Sequence, residues 1–168
     1  MKLTKPKKEE GMEMLPSTKN HTILTTIWVI FALLCLAWLI GNVTELVNPG
    51  SWVARNNMPN APQGGWPKEI LVYFKISMVA SILFPILFCF VTLFGLIKRH
   101  FFSLITGYIS LATGMFTNLI FNVVTIKCGS IDLYFLFKFA IILVIELAAL
   151  AYLIIYTVEC FKKTKITV

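Results

Sequence analysis

Residues 133–158 read LYFLFKFAIILVIELAALAYLIIYTV. The run carries only two charged side chains, Lys138 and Glu146, and it is longer than the roughly 20 apolar residues that a helix needs to cross a bilayer. Glu146 lies near its middle, where placing a carboxylate in lipid costs roughly 3 kcal/mol or more. The run therefore predicts a transmembrane helix with one polar side chain that requires either a bonding partner or a function.

Three further apolar runs of spanning length cover residues 23–41, 70–97 and 101–126. Of the 168 residues, 58% are hydrophobic and 14% are charged, which is too little polar surface to cover a water-soluble domain. The connections at residues 98–100 and 127–132 are short, so successive helices must run in opposite directions. We expect an all-α integral membrane protein, a four-transmembrane-helix up-down bundle within residues 23–160.

The basic residues are unevenly distributed along the predicted topology. With the N-terminus in the cytoplasm, ten of the fifteen Lys and Arg residues lie on cytoplasmic segments and five on the other side. This bias follows the positive-inside rule, so the net charge of +7 reflects topology and does not indicate binding to nucleic acid. We expect both termini in the cytoplasm, and the short loops favour a bacterial cytoplasmic (plasma) membrane.

Three segments are predicted to lie outside the membrane. Residues 1–22 mix charges of both signs without an apolar period, which predicts a mobile cytoplasmic arm. Residues 42–69 form one long outer loop, whose prolines and glycines break regular structure and whose Trp52 and Trp66 are expected to anchor at the headgroup level. The alternative for this loop is a cap that binds a partner. Residues 161–168 form a basic cytoplasmic tail.

A polar stripe runs along the third predicted span. Its spacings of 4, 3, 4, 4, 4 and 3 residues average about 3.7, which keeps the whole set on one face of a helix. Small residues at such spacings let helix backbones approach closely in lipid. We therefore expect a helix-packing stripe of Ser103, Gly107, Ser110 and Gly114, continued by Asn118, Asn122 and Thr125.

The stripe offers a partner for the buried carboxyl. Because the third and fourth spans run in opposite directions, Asn118 and Glu146 lie at similar depths in the bilayer. We expect a hydrogen bond between them, in which a protonated Glu146 donates to the carboxamide oxygen of Asn118. This pairing makes Glu146 polar glue between helices. The alternative is that Glu146 binds or relays a proton or a cation.

Pro85 lies in the middle of the second predicted span. Because proline lacks a backbone N–H and its ring clashes with the preceding turn, it predicts a kink near Ile82. Such kinks are common in membrane helices, and we interpret this one as structural; a gating hinge is the alternative.

The sequence contains no motif for catalysis, metal or cofactor binding. His21 and His100 both lie at predicted membrane boundaries, so no axial haem ligand is available at membrane depth. Ligand clusters with zinc or iron spacing, phosphate-binding glycine loops and nucleophile elbows are also missing from the sequence. The four cysteines form no CxxC pair and are interpreted as packing residues.

These patterns predict a non-catalytic multi-pass membrane protein without a cofactor, an accessory or scaffold subunit or a small tetraspan. Its expected partners are the lipid bilayer and other membrane proteins or further copies of the chain, with no nucleic acid among them. The alternative is an oligomeric small transporter or channel component that uses Glu146 for proton or cation coupling. Four spans rarely enclose a solute path alone, so this alternative requires an assembly of several copies.

Overall fold

The computed structural model describes residues 15–47, 68–127 and 133–166, and within them every regular element is helical. The elements are α1 (Lys19–Val47), α2 (Lys68–Ser81), a π-helical turn (Ile82–Ile86), α3 (Leu87–Lys98), α4 (Phe102–Lys127) and α5 (Leu133–Ile166). Because α2, the π turn and α3 follow one another without a break, they form one long rod. The expected all-α fold is therefore confirmed.

Four stretches of the described chain are long and apolar enough to cross a membrane: Lys19–Thr44, Lys75–Lys98, Phe102–Ile120 and Phe139–Lys163. Large apolar side chains point away from the bundle on every one of these helices, as Leu33 on α1 and Val144 on α5 illustrate, at 62% and 65% exposed. A water-soluble protein rarely exposes apolar surface on such a scale. The chain is a membrane protein whose outer surface suits hydrocarbon.

The four long helical rods pack as neighbours in a closed square. Helix α1 contacts α3 and α5, and α4 contacts the same two helices from the opposite corner. Paired contacts show that neighbours run antiparallel: His21 lies against Leu96 while Trp28, farther along α1, lies against Cys89, nearer the start of α3. Consecutive rods therefore alternate in direction around the bundle.

Trp28 organises the centre of the bundle. It is fully buried, and its indole N–H donates to the backbone carbonyl of Cys89 on α3 at 3.1 Å. Its ring meets Phe31 edge-on and also reaches Gly107 on α4, so one side chain contacts three rods. An indole in lipid requires a partner for its N–H, and the Cys89 carbonyl supplies it.

The turn between α3 and α4 is a Schellman motif. Arg99 adopts the left-handed conformation (φ 56°, ψ 40°), its N–H donates to Leu96, and the next N–H, of His100, donates to Gly95. Gly95 has no room for a side chain, because an added Cβ would lie 2.7 Å from the ring of Phe102. This glycine therefore fixes the close approach of α3 and α4 beside the turn.

The irregularity expected at Pro85 is a π-helical turn over Ile82–Ile86. The backbone N–H of Leu87 donates to the carbonyl of Ile82, five residues earlier, which widens the helix by one residue. Proline removes one N–H from the helical ladder, and the wider turn takes up the resulting mismatch. We find a π turn where the sequence predicted a kink.

The start of α1 corrects the predicted arm. Residues 15–22 belong to the bundle: α1 begins at Lys19, and Leu15 is 4% exposed with its N–H donating to the Arg99 carbonyl at 2.7 Å. Thr18 caps α1 by accepting the N–H of His21 at 3.2 Å. Apolar burial of Leu15 and a capped helix end hold this part of the chain in place, and residues 1–14 lie outside the described part.

The last helix continues beyond the predicted span. It ends at Ile166, so residues 161–166 of the predicted basic tail are helical. No proline or glycine follows Val158, and Lys163 forms an ion pair with Glu159 one turn earlier at 3.3 Å. At 1.5 Å per residue, the 34 residues of α5 extend about 51 Å, well beyond the hydrocarbon layer.

Candidate functional site

Glu146 lies on the face of α5 that packs against α4. Its side chain is 1% exposed, and the Asn118 carboxamide Nδ2 donates to its Oε1 at 2.9 Å. Asn118 is itself 5% exposed. Asn118 and Glu146, which the sequence predicts at similar depths in the bilayer, are therefore in direct contact. The direction of the bond differs from our expectation, because Asn118 is the donor in this pair and the Glu146 oxygen accepts.

Gly114 makes room for the carboxyl group. A Cβ built on Gly114 would lie 3.0 Å from Glu146 Oε1 and 3.6 Å from the Cβ of Pro85. The carboxyl thus rests on the bare backbone of α4, one turn before Asn118, and the Pro85 ring lies near the same point. Any side chain larger than hydrogen would press on Glu146.

Ser110 ties the same region of α4 to the π turn. Its hydroxyl is fully buried and donates to the carbonyl of Pro85 at 2.9 Å. The π turn perturbs the regular carbonyl ladder at this level, and Ser110 supplies a donor from the neighbouring helix. Along one face of α4, Ser110 therefore donates to the Pro85 carbonyl, Gly114 leaves room for the Glu146 carboxyl, and Asn118 donates to that carboxyl.

The second carboxyl oxygen of Glu146 has no hydrogen-bond partner among the described residues. Oε2 is nevertheless shielded from solvent inside the bundle. A buried polar atom without a partner costs free energy comparable to a lost hydrogen bond. Oε2 is therefore the energetically unfavourable atom of the Glu146–Asn118 pair. It is also the position at which a proton or a cation could bind.

Ser103 and Gly107, two further residues of the predicted stripe, lie in the interior of the bundle. Ser103 is fully buried, and its hydroxyl donates to the His100 carbonyl at 2.8 Å. A Cβ on Gly107 would lie 3.1 Å from Leu153 of α5 and 3.4 Å from Trp28 of α1. Asn122 lies on α4, but its side chain falls outside the described part of the structure, as do Trp52 and Trp66 in the predicted outer loop.

Hydroxyl pairs join neighbouring helices at positions that the sequence analysis did not single out. The hydroxyls of Thr92 on α3 and Thr106 on α4 lie 2.9 Å apart, and Tyr108 on α4 donates to Thr157 on α5 at 3.2 Å. The Thr92 and Thr157 hydroxyls also lie within hydrogen-bonding distance of a carbonyl one turn earlier in their own helix, and this local pattern gives no sign in the sequence of a partner on another helix.

A polar cluster closes the end of the bundle that carries residues 15–22. The Glu159 carboxylate of α5 accepts from Thr18 at 3.0 Å and from Asn20 at 3.1 Å. Nearby, the Tyr156 hydroxyl donates to the Pro16 carbonyl at 2.8 Å. We call residues 15–20 the strap and this end of the bundle the strap end. The helix-capping residue Thr18 is the signal by which the sequence could have revealed this ordered start.

The histidines and the described cysteines take structural positions. His21 Nε2–H donates to the Leu96 carbonyl at 3.0 Å, which joins α1 to α3. Cys35, Cys89 and Cys160 are buried cysteines. Within the described ranges, no group of three or more His, Cys, Asp or Glu side chains could hold a metal ion.

A groove of about 540 Å³ runs between α2 and α4, on a face of α4 other than the one that contacts Glu146. Its α4 wall includes Thr113 and Thr117, whose hydroxyls donate to carbonyls of their own helix at 2.7 Å. The groove therefore presents methyl groups and apolar side chains, which suits hydrocarbon better than a polar solute. Glu146 does not line it.

Comparisons of the chain with protein-family models, with curated proteins and with solved structures give no match.

Proposed function

We propose that this chain is a non-catalytic multi-pass membrane protein that serves as an accessory or scaffold subunit. The observation that carries the proposal is the position of Glu146. Its carboxyl is 1% exposed, bonded to Asn118 of the neighbouring helix, and held against Gly114. A group so placed joins two helices. A transport site, by contrast, would open to a polar cavity or to a subunit interface.

The proposed topology places both termini in the cytoplasm of a bacterial plasma membrane. In support, the strap end carries five basic residues that the structure describes: Lys19, Lys98, Arg99, Lys162 and Lys163. The positive-inside rule places such an end on the cytoplasmic side. The predicted outer loop, with Trp52 and Trp66, then lies on the opposite side.

A proton-flux assay tests the proposal. The full-length protein is reconstituted into liposomes that contain a pH-sensitive dye, and a proton gradient is applied. If Glu146 only joins two helices, proton leak should be equal in liposomes that contain wild type, in those that contain Glu146→Gln and in protein-free liposomes. In parallel, extraction into native-lipid nanodiscs should recover the chain in a stoichiometric complex with a second protein. Proton flux that Glu146→Gln abolishes, with the fold intact, would overturn the proposal.

The second candidate is an oligomeric small transporter or channel component that uses Glu146 for proton or cation coupling. It is supported by Oε2 of Glu146, which is buried and lacks a hydrogen-bond partner among the described residues. Intramembrane carboxyls with such an open position are common in proton relays. This candidate predicts a homo-oligomer, since a single four-helix bundle closed around Trp28 leaves the carboxyl sealed.

A further inference from the structure

The strap end of the bundle concentrates positive charge. Five basic side chains lie there on three helices and the turn: Lys19 on α1, Lys98 at the end of α3, Arg99 in the turn, and Lys162 and Lys163 on α5. The four lysines are exposed, and Arg99 is partly exposed. Glu159 is the carboxylate that the described structure brings to this end.

Glu159 is already committed to other groups. It accepts hydrogen bonds from Thr18 and Asn20 of the strap, and its other oxygen lies 3.3 Å from Lys163. Within the described part of the chain, no ion pair involves Lys19, Lys98, Arg99 or Lys162. Lys19, Lys98, Arg99 and Lys162 therefore present four cations at the strap end without a carboxylate partner in the described part of the chain.

Arg99 occupies a backbone position that disfavours it. Within the described residues it is the non-glycine residue with positive φ, where glycine or asparagine fits with less strain. Its carbonyl is fixed by the N–H of Leu15 at 2.7 Å, so the turn is held from both sides. An arginine at a position that favours glycine or asparagine points to a role for its charge.

These cations lie at the ends of the apolar stretches that can span a membrane. The apolar stretches that can span a membrane end at Lys19, at Lys98 and at Lys163, so the charges mark one boundary of the hydrocarbon layer. We propose that the strap end binds the phosphate headgroups of anionic phospholipids, with Lys98 and Arg99 as the principal contacts. The surrounding leaflet supplies this ligand, and charge complementarity selects anionic over zwitterionic lipid.

Position favours a lipid over other anions. A soluble phosphate compound would need an enclosed site, whereas these lysines are exposed around the rim of the bundle. An acidic protein would contact them only from the aqueous side. A phospholipid reaches the rim from the bilayer and places its acyl chains against the apolar outer faces of the same helices, beside residues such as Ile97 and Phe101.

Native mass spectrometry of the full-length protein in detergent tests the proposal. Phosphatidylglycerol and phosphatidylcholine are titrated separately, and the dissociation constant of the first bound lipid is measured for each. We expect phosphatidylglycerol to bind more tightly. Each cation near a headgroup contributes on the order of a fivefold change in affinity, so Lys98→Gln with Arg99→Asn should weaken phosphatidylglycerol binding on the order of 25-fold. Asparagine is chosen at residue 99 because it tolerates positive φ.

The matched control removes two charges from the other end of the bundle. Lys75→Gln with Lys127→Gln should leave phosphatidylglycerol binding within about twofold of wild type, and both double variants should leave phosphatidylcholine binding unchanged. Equal affinity for the two lipids, or equal losses from the two double variants, would overturn the proposal. Competition by glycerol phosphate as strong as by the lipid would assign the site to a soluble phosphate instead, and would also overturn it.

Discussion

Replacing Asn118 with leucine removes the hydrogen bond to Glu146. Leucine has the same number of side-chain heavy atoms as asparagine and the same branched shape, although its methyl groups occupy more volume than the carboxamide. The substitution removes the donor at 2.9 Å and leaves both oxygens of Glu146 without a described partner, because Oε2 has none in the wild type. The perturbation therefore removes the donor to Glu146 and leaves a buried carboxyl unpaired.

The magnitude follows from the burial of the carboxyl. Leaving a buried polar group unpaired costs about 1–3 kcal/mol, and the 1% exposure of Glu146 gives it no access to water in compensation. Interhelical hydrogen bonds in a membrane contribute about 0.6 kcal/mol on average and about 1.7 at most, since the unfolded state in lipid also finds partners. We expect Asn118→Leu to lower the unfolding free energy by about 1–2 kcal/mol.

A double-mutant cycle provides the assay. Reversible unfolding in mixed micelles gives the unfolding free energy of wild type, Asn118→Leu, Glu146→Leu and the double variant. Replacing both members removes the unpaired group, so the double variant should be more stable than the sum of the single losses predicts, by about 0.6–1.7 kcal/mol. Glu146→Gln keeps the acceptor oxygen and should change stability by less than about 1 kcal/mol.

Two results would refute this reasoning. An Asn118→Leu variant as stable as wild type would mean that the contact contributes nothing. Strict additivity in the cycle would mean that the two side chains act independently, whatever their distance. Thr113→Val serves as the control, because its hydroxyl donates within its own helix and its loss should cost much less than that of Asn118.

The remaining predictions concern packing at other points of the bundle. Gly95→Ala forces a Cβ to within 2.7 Å of the Phe102 ring and should cost about 1–3 kcal/mol of unfolding free energy in the same assay, whereas Ala112→Ser on the lipid side should be silent. Trp28→Phe removes the N–H donated to the Cys89 carbonyl and should cost about 1 kcal/mol or more, measured in the same way. Glu159→Ala releases the strap and should speed amide hydrogen exchange at residues 15–20, while exchange in the α4 core stays unchanged. Equal exchange rates at residues 15–20 in wild type and Glu159→Ala would contradict the role given to Glu159.

Much of this fold could be predicted because lipid imposes simple rules on sequence. Hydrophobic length alone locates the four spans, and a stripe at helical spacing places Asn118 on an inward face. Depth then pairs it with Glu146 without any knowledge of side-chain conformations. The inference works because a buried carboxyl has few polar groups within reach, and the stripe supplied the nearest one.

Other features depend on contacts that sequence periodicity does not show. Leu15 lies in a segment without an apolar period, and its backbone N–H is bonded to the Arg99 carbonyl, which is distant in sequence. Pro85 predicted a disturbed helix but not a π turn, because the choice depends on how the neighbouring Ser110 satisfies the local carbonyls. The donor direction in the Glu146 pair likewise depends on how the Asn118 carboxamide is oriented, which composition and spacing do not fix.

The central claim is that Glu146 is a sealed structural carboxyl, and infrared difference spectroscopy of the protein in lipid nanodiscs tests it most directly. Comparison with Glu146→Gln assigns the bands of this one side chain. A carboxyl sealed between helices keeps one protonation state and one set of bonds, so our account predicts bands that stay unchanged between about pH 6 and 8. Bands of Glu146 that titrate reversibly within that range would show a water-accessible, proton-exchanging group, and would contradict the account.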